Sequence, residues 1–323
     1  MTALVAARSL GRNFAVRDLV LGPGLKIRRA PPVQAVTDVS LAIHRGETVA
    51  LVGESGSGKS TLGRMLLGLL APTTGSVSFD GIDLAAAGVE QRRQLRRRMQ
   101  IVFQDPNSSL DPRRPVGGQI ADGLAIHSIV PPTERHARVE QLLVQVGLPA
   151  GHADRYPHQF SGGQRQRIGI ARALATAPEF LVADEPVSAL DVSVQAQVLD
   201  LLADLRTRLG LALLFISHDL AVVRSLCERV IVMYLGRVME TGSVASVFNA
   251  PRHPYTKALL SAVPTLDPAQ RRTRILLAGD PPSPANPPSG CVFRTRCPIA
   301  IPECALTVPA LADGVACIRA GQA

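Results

Sequence analysis

From residue 33 the chain alternates apolar and polar positions (VQAVTDVS), then tightens into a short apolar run, Thr48–Val52, that ends in glycine. A run this short beside a Gly-rich segment reads as a strand buried on both faces. The period then changes. From Lys59 apolar residues recur at helical spacing through LGRMLLGLLAP, which predicts a helix reaching Pro72. TGSVSFDG, residues 74–81, reads as a hairpin edge. An Arg-heavy helix over Gln91–Arg98 leads into the strand MQIVFQ, and residues 105–160 are helical in pattern with Pro and Gly breaks. A further helix opens at Ser161. The strand FLVAD, a helix over Ser193–Leu209, the strand ALLFIS, a short helix and the strand VIVMY follow. Strands alternating with helices imply a mixed, mainly parallel sheet covered by helices on both faces. After Asn249 proline density rises, with PPSPANPPSG before a cysteine cluster; this is a loop-rich appendage.

Composition changes this picture little. The 323 residues exceed one average domain, and 46% hydrophobic content excludes wholesale disorder. Aromatics are 3% and Trp is absent, so the core must be built from Leu, Val and Ala. The net charge of +9 fits an anionic partner, whether nucleic acid, nucleotide or membrane face, and scarce aromatics weigh against single-stranded nucleic acid. No apolar run reaches the ~18 residues of a membrane span; the best, Leu209–Val223, is broken by Ser217, His218 and Asp219. The start is too short and too soon basic for a signal peptide, so a cytoplasmic protein is expected. The cluster Arg92, Arg93, Arg96, Arg97 and Arg98 reads as a solvated helix face, and Cys227 as a small buried hydrophobe.

The candidate chemistry lies in short contiguous motifs. Gly53-Glu54-Ser55-Gly56-Ser57-Gly58-Lys59-Ser60 matches the phosphate-loop pattern, with a strand before it and a helix after it. Its glycines let the backbone curl so that N–H groups converge, and the helix start adds positive potential. Lys59 supplies a point charge for β- and γ-phosphates, Ser60 a hydroxyl ligand for Mg²⁺, and Thr61 a donor to the α-phosphate. The strand Phe180–Ala183 ends in Asp184 and Glu185; Asp184 is placed to reach Mg²⁺ through water, and Glu185 to polarise an attacking water. Ser161-Gly162-Gly163-Gln164 opens a helix and forms either a second anion cradle or an ordinary N-cap.

The order of Gly53–Thr61, Gln104, Ser161–Gln164, Asp184/Glu185, Ser188–Asp191 and His218 resembles the ATP-binding-cassette (ABC) ATPases over about residues 5–245. The resemblance implies an α/β phosphate-loop NTPase (RecA-like) fold with an inserted helical subdomain. It divides the chain into an ATP-binding core (1–104 and 173–245), a helical signature subdomain (105–172) and a C-terminal extension (246–323). It implies that ATP contacts Phe14, Gly53, Ser55, Gly56, Ser57, Gly58, Lys59, Ser60 and Thr61. It places Ser60, Gln104 and Asp184 on Mg²⁺, and Glu185, Gln104 and His218 in catalysis. Ser161, Gly162, Gly163, Gln164 and Asp191 would serve the nucleotide of a second subunit. Phe14 is the match for the adenine-stacking aromatic; the other reading is a core Phe.

Phe103–Arg113 (FQDPNSSLDPR), Pro251–Leu260, Gly279–Pro284 and Gly290-Cys291…Arg296-Cys297-Pro298 resemble the dipeptide/oligopeptide importers, closest to the second ATPase of such operons. This implies coupling of ATP hydrolysis to peptide uptake at the cytoplasmic face of a bacterial inner membrane. The partners would be a second ATPase (a heterodimer), two permease subunits and an extracytoplasmic binding protein, with no nucleic acid. Nickel and glutathione importers share these features. A soluble ABC protein acting on DNA or ribosomes is the rival; its members carry two cassettes or a long coiled coil, and this chain has one cassette and no heptads.

Cys291, Cys297, Cys304 and Cys317 crowd the last segment. Their gaps are longer than the C-x₂-C pairs of structural zinc sites, and Cys297 precedes Pro298 as in iron–sulfur runs. The family resemblance implies a [4Fe–4S] cluster; zinc, free thiols and a disulfide are the alternatives.

Overall fold

The computed structural model describes residues 2–15, 19–21, 27–29, 31–263 and 273–322. The chain forms two compact units.

One unit takes residues 1–5, 43–48 and 78–217. Its strands Met99–Val102, Phe180–Asp184 and Ala212–Ser217 run parallel, with Val182 opposite Ile101 and Leu214. Every residue of the last two strands is buried, which is why both read as unbroken apolar runs. Between the first two strands come the helices Val116–Ile126, Arg135–Gln145 and Gly162–Leu174. Their apolar faces meet through Ile120, Leu124, Leu142, Leu143, Ile168 and Ile170, none of them exposed. Truncating one such Leu to Ala costs about 2–5 kcal/mol. Phe79 pairs with Ile82 across a tight turn whose central residues, Asp80 and Gly81, have φ of 52° and 79°. This is the expected hairpin, and Asp-Gly supplies the left-handed conformations it needs. The Arg-rich helix Val89–Arg98 is mostly exposed. Arg98 departs from the expected solvated face: it pairs with Glu179 and with Asp80 (2.6 Å), and its guanidinium lies over the Phe79 ring. Arg45 joins the same carboxylates. Hydrogen bonds from Arg98 hold the Glu179 carboxyl below its ordinary range against the effect of burial.

The other unit takes residues 6–42, 49–77 and 218–323. Here Thr48–Val52 runs parallel to Arg229–Tyr234, with Leu51 opposite Ile231, and Arg237–Ser243 returns antiparallel. Val33–Ile43 lies beside Val5–Phe14, which lies beside Thr74–Phe79. The helix that opens at Lys59 stops at Leu66 and does not run to Pro72. Gly68 takes φ 64°, Gly68 N–H bonds Met65 O and Leu69 N–H bonds Arg64 O. This paired closure caps the helix, and the apolar residues beyond it keep their spacing without a helix to carry it. Among its described residues the tail after residue 249 has one α-helix, Pro254–Ser261, and one short 3₁₀ helix, Pro302–Ala305, and is otherwise irregular. It is stitched onto the strand Arg237–Ser243 by Thr241 N–H to Gly314 O (2.7 Å) and Ala316 N–H to Met239 O (2.8 Å). Among the described residues no helix is long and apolar enough to cross a membrane.

Candidate functional site

The phosphate-loop segment starts where the buried strand Thr48–Val52 ends. Gly53 has φ 151°, and a Cβ there would sit 2.2 Å from Met233 O. Gly58 has φ 98°, and its Cβ would meet Ala35 O at 2.1 Å. Only glycine combines these angles with these approaches. Gly58 then serves as the left-handed N-cap of the helix Lys59–Leu66. Lys59 is 5% exposed, and its Nζ donates to Gly53 O and Glu54 O at 2.8 Å each and to Ser57 Oγ at 3.4 Å. The ammonium is therefore held inside the curl of its own loop. Two contacts reach the loop from the tail: Glu54 N–H donates to the Tyr255 hydroxyl (2.9 Å), and the Arg296 guanidinium donates to Glu54 Oε2 (2.7 Å). The sequence flagged neither residue for this position, since nothing local ties residues 255 and 296 to residue 54.

The acidic strand end lies in the first unit. Asp184 closes the buried strand and is 3% exposed. Glu185 follows with φ 45°, a conformation that strains a residue with a Cβ, and its N–H is held by Ile216 O. Gln104 Nε2 donates to Glu185 Oε2 at 3.0 Å, so two of the expected catalytic groups meet. The turn that follows is braced by Gln195, whose Nε2 donates to Val187 O and Leu190 O. It ends at Asp191, the N-cap of the helix Val192–Leu209.

Ser161 is the N-cap of the helix Gly162–Leu174 and forms a capping box: Gln164 N–H donates to Ser161 Oγ, and Ser161 N–H donates to Gln164 Oε1. A Cβ on Gly163 would fall 2.2 Å from Val194 Cγ1, and one on Gly162 3.4 Å from Leu190. The structure thus brings Ser161–Gln164 against the Asp191 segment, residues the motif order alone had grouped.

His218 is exposed at the end of the strand Ala212–Ser217. Phe14, at the end of Val5–Phe14, is half-buried with the Arg12 guanidinium 4.7 Å from its ring centre. It is not part of the fully buried core.

Cys291, Cys297, Cys304 and Cys317 are free thiols that line one small cavity of about 10 Å³, together with His253 and Phe293. Burial pushes the Cys291, Cys297 and Cys317 thiols up, against hydrogen bonds from backbone N–H groups. Among the described residues no three His, Cys, Asp or Glu side chains form a group that holds a metal ion. The expected [4Fe–4S] set therefore lacks support, although all four thiols line the one cavity. Cys227 is buried, as expected.

The strand, glycine loop and capped helix define a phosphate-loop nucleotide-binding cassette. A family profile described as "ABC transporter" matches residues 36–188, and one described as "Oligopeptide/dipeptide transporter, C-terminal region" matches residues 239–304. The chain belongs to the ATP-binding proteins of ABC transporters, in the branch that carries the oligopeptide/dipeptide C-terminal region. It is 55% identical over 312 residues to a putative peptide import ATP-binding protein of Brucella ovis, covering 97% of this chain and 95% of that one. It is 48% identical over 309 residues to the oligopeptide transport ATP-binding protein AppF of Bacillus subtilis, covering 95% and 92%. Among solved structures, the cassette MJ0796, a dimer bound to ADP and Pi, matches at TM-score 0.64 and 30% identity over 74% of this chain and 98% of that one. CbiO1 of Clostridium perfringens, part of the ABC transporter complex cbiONQ, matches at TM-score 0.64 and 29% identity over 77% and 92%.

Proposed function

We propose that the chain is the ATP-hydrolysing subunit of an ABC importer that takes up di- or oligopeptides. The observation that carries the reading is the pairing, on one chain, of an intact cassette with the oligopeptide/dipeptide C-terminal region. The residues divide the work by chemistry. Gly53–Thr61 receive the phosphates of ATP, with Lys59 as the fixed charge and Phe14 as the adenine contact. Ser60, Gln104 and Asp184 are the residues that would hold Mg²⁺; the fit rests on donor chemistry, a hydroxyl, an amide and a buried carboxylate at a strand end. Such an ion would supply positive charge to offset that of the phosphates. Glu185, held by Gln104, accepts the proton of the attacking water, and His218 stabilises the γ-phosphate. Ser161–Gln164 and Asp191 serve a second subunit's nucleotide. In this reading residues 1–104 and 173–245 act as the ATP-binding core, 105–172 as the subdomain that faces the permeases, and 246–323 as the extension.

The working assembly then comprises a second ATPase, two permease subunits and an extracytoplasmic binding protein, with this chain at the cytoplasmic face of the membrane. The cysteine cavity enters the reading only as packing of the extension. The test is reconstitution with the permease pair in vesicles. ATP hydrolysis should rise several-fold with peptide-loaded binding protein, and stimulation by nickel- or glutathione-loaded protein alone would overturn the peptide assignment. Glu185→Gln should retain MgATP binding and lose about 1,000-fold in turnover; near-parental turnover removes Glu185 from the role of base.

A further inference from the structure

Glu54 places a carboxylate inside the loop proposed to receive a polyphosphate. Left alone it would repel the ligand, and a nearby cation is needed to cancel it. Arg296 does this at 2.7 Å, with its side chain 9% exposed against 28% for Glu54. With one partner covered and the other partly so, the charges are screened less than those of a fully exposed pair. The Arg296 guanidinium also lies 5.9 Å from the centre of the Tyr234 ring. Tyr234 packs against Tyr255 (4.9 Å between centroids) and edge-on against Phe293 (5.3 Å). Tyr255 in turn accepts the Glu54 N–H. One loop residue is thus held twice, at its backbone by the helix Pro254–Ser261 and at its carboxylate by the cysteine-bearing turn.

The pair is not built for stability alone. Arg296 Nε is buried without a hydrogen-bond partner, a cost that an optimised structural ion pair avoids. We propose that Arg296 and Tyr255 are positioning residues for the nucleotide site: through Glu54 they set the charge and the shape of the phosphate loop. The C-terminal region is thereby a determinant of nucleotide affinity. This rests on the reading of Gly53–Thr61 as the ATP site. Because the proposed proton acceptor, Glu185, lies outside Gly53–Thr61, the effect falls chiefly on binding and far less on turnover at saturation.

The experiment is a double-mutant cycle on the full-length protein, read by calorimetric titration with MgATP and by ATPase assays. Arg296→Met keeps the alkyl stem and removes the charge; it should raise Kd about tenfold, ~1.4 kcal/mol. In a Glu54→Gln background the same substitution should change Kd less than about twofold, because the carboxylate it neutralised is gone. Arg296→Lys should recover most of the affinity. Tyr255→Phe, which removes only the acceptor for Glu54 N–H, should raise Kd about threefold. An equal loss from Arg296→Met in both backgrounds, or no loss in either, overturns the proposal. Lys59→Ala separates it from the reading beneath it: parental MgATP affinity in that variant sinks the site assignment itself. Loss in Lys59→Ala without loss in Arg296→Met sinks only the present inference.

Discussion

The phosphate loop and the cysteine-bearing tail are both short, irregular and rich in chemistry, yet they are specified in opposite ways. The loop announces itself through neighbours in sequence: a buried strand ends, Gly53 and Gly58 take angles closed to other residues, and Lys59 bonds carbonyls five and six residues back, while distant Tyr255 and Arg296 trim it at Glu54 alone. The tail's shape follows from distant partners. Glu240 accepts the N–H groups of Arg252 and His253, Cys291 N–H bonds Cys304 O, and Thr241 N–H bonds Gly314 O. Local specification makes a motif that can be read; distant specification makes a cluster whose residues can be counted but not arranged.

Acid titration is the strongest way to break that contrast, because it loads the tail at one buried group. His253 is 1% exposed, and burial pushes its pKa down to about 4, with a bond to Ala316 opposing. In the unfolded chain the imidazole titrates near its ordinary ~6.5, so the unfolded state takes up the proton first. Stability is full above pH ~6.5 and falls as pH drops towards 4, by about 3 kcal/mol from this group. Urea unfolding at pH 7.5 and at pH 4 measures it. His253→Gln should flatten that part of the pH dependence, and an unchanged slope would remove His253 as its source.

A substitution in the loop should have a smaller but sharper effect. Gly58→Ala forces a Cβ into a left-handed position 2.1 Å from Ala35 O, and should cost about 2 kcal/mol of stability and weaken MgATP binding. Thermal unfolding and titration together detect it; a parental melting point would show that the loop relaxes freely. Smallest of all is Cys317→Ser. Its thiol is half-exposed and pushed up by burial, and the change should shift stability by about 0.5 kcal/mol or less. A loss of several kcal/mol would show that the cysteine cavity does more than pack, and would reopen a metal there.

Much of the fold was legible because burial and period agree. Phe180–Asp184 and Ala212–Ser217 are apolar throughout and buried throughout. The Ser161 N-cap and the Asp-Gly turn are signals that act over three or four residues. The helix from Lys59 was overrun because Leu69 and Leu70 continue its apolar spacing after Gly68 has closed it. Arg98 was read as solvated because its partners, Asp80 and Glu179, are 18 and 81 residues away. Of the candidate site, Lys59, Glu185 and Ser161 could be found by motif. Tyr255 and Arg296 could not, since their tie to Glu54 exists only in three dimensions.

The missing side chain at Gly163 has a mechanical meaning. With no Cβ there, the helices beginning after Ser161 and Asp191 come together at the shortest distance a backbone and the Val194 methyl allow. Any side chain at residue 163 larger than hydrogen would have to wedge the two helices apart. The spacing between Ser161 and Asp191 is thereby set by the smallest residue between them.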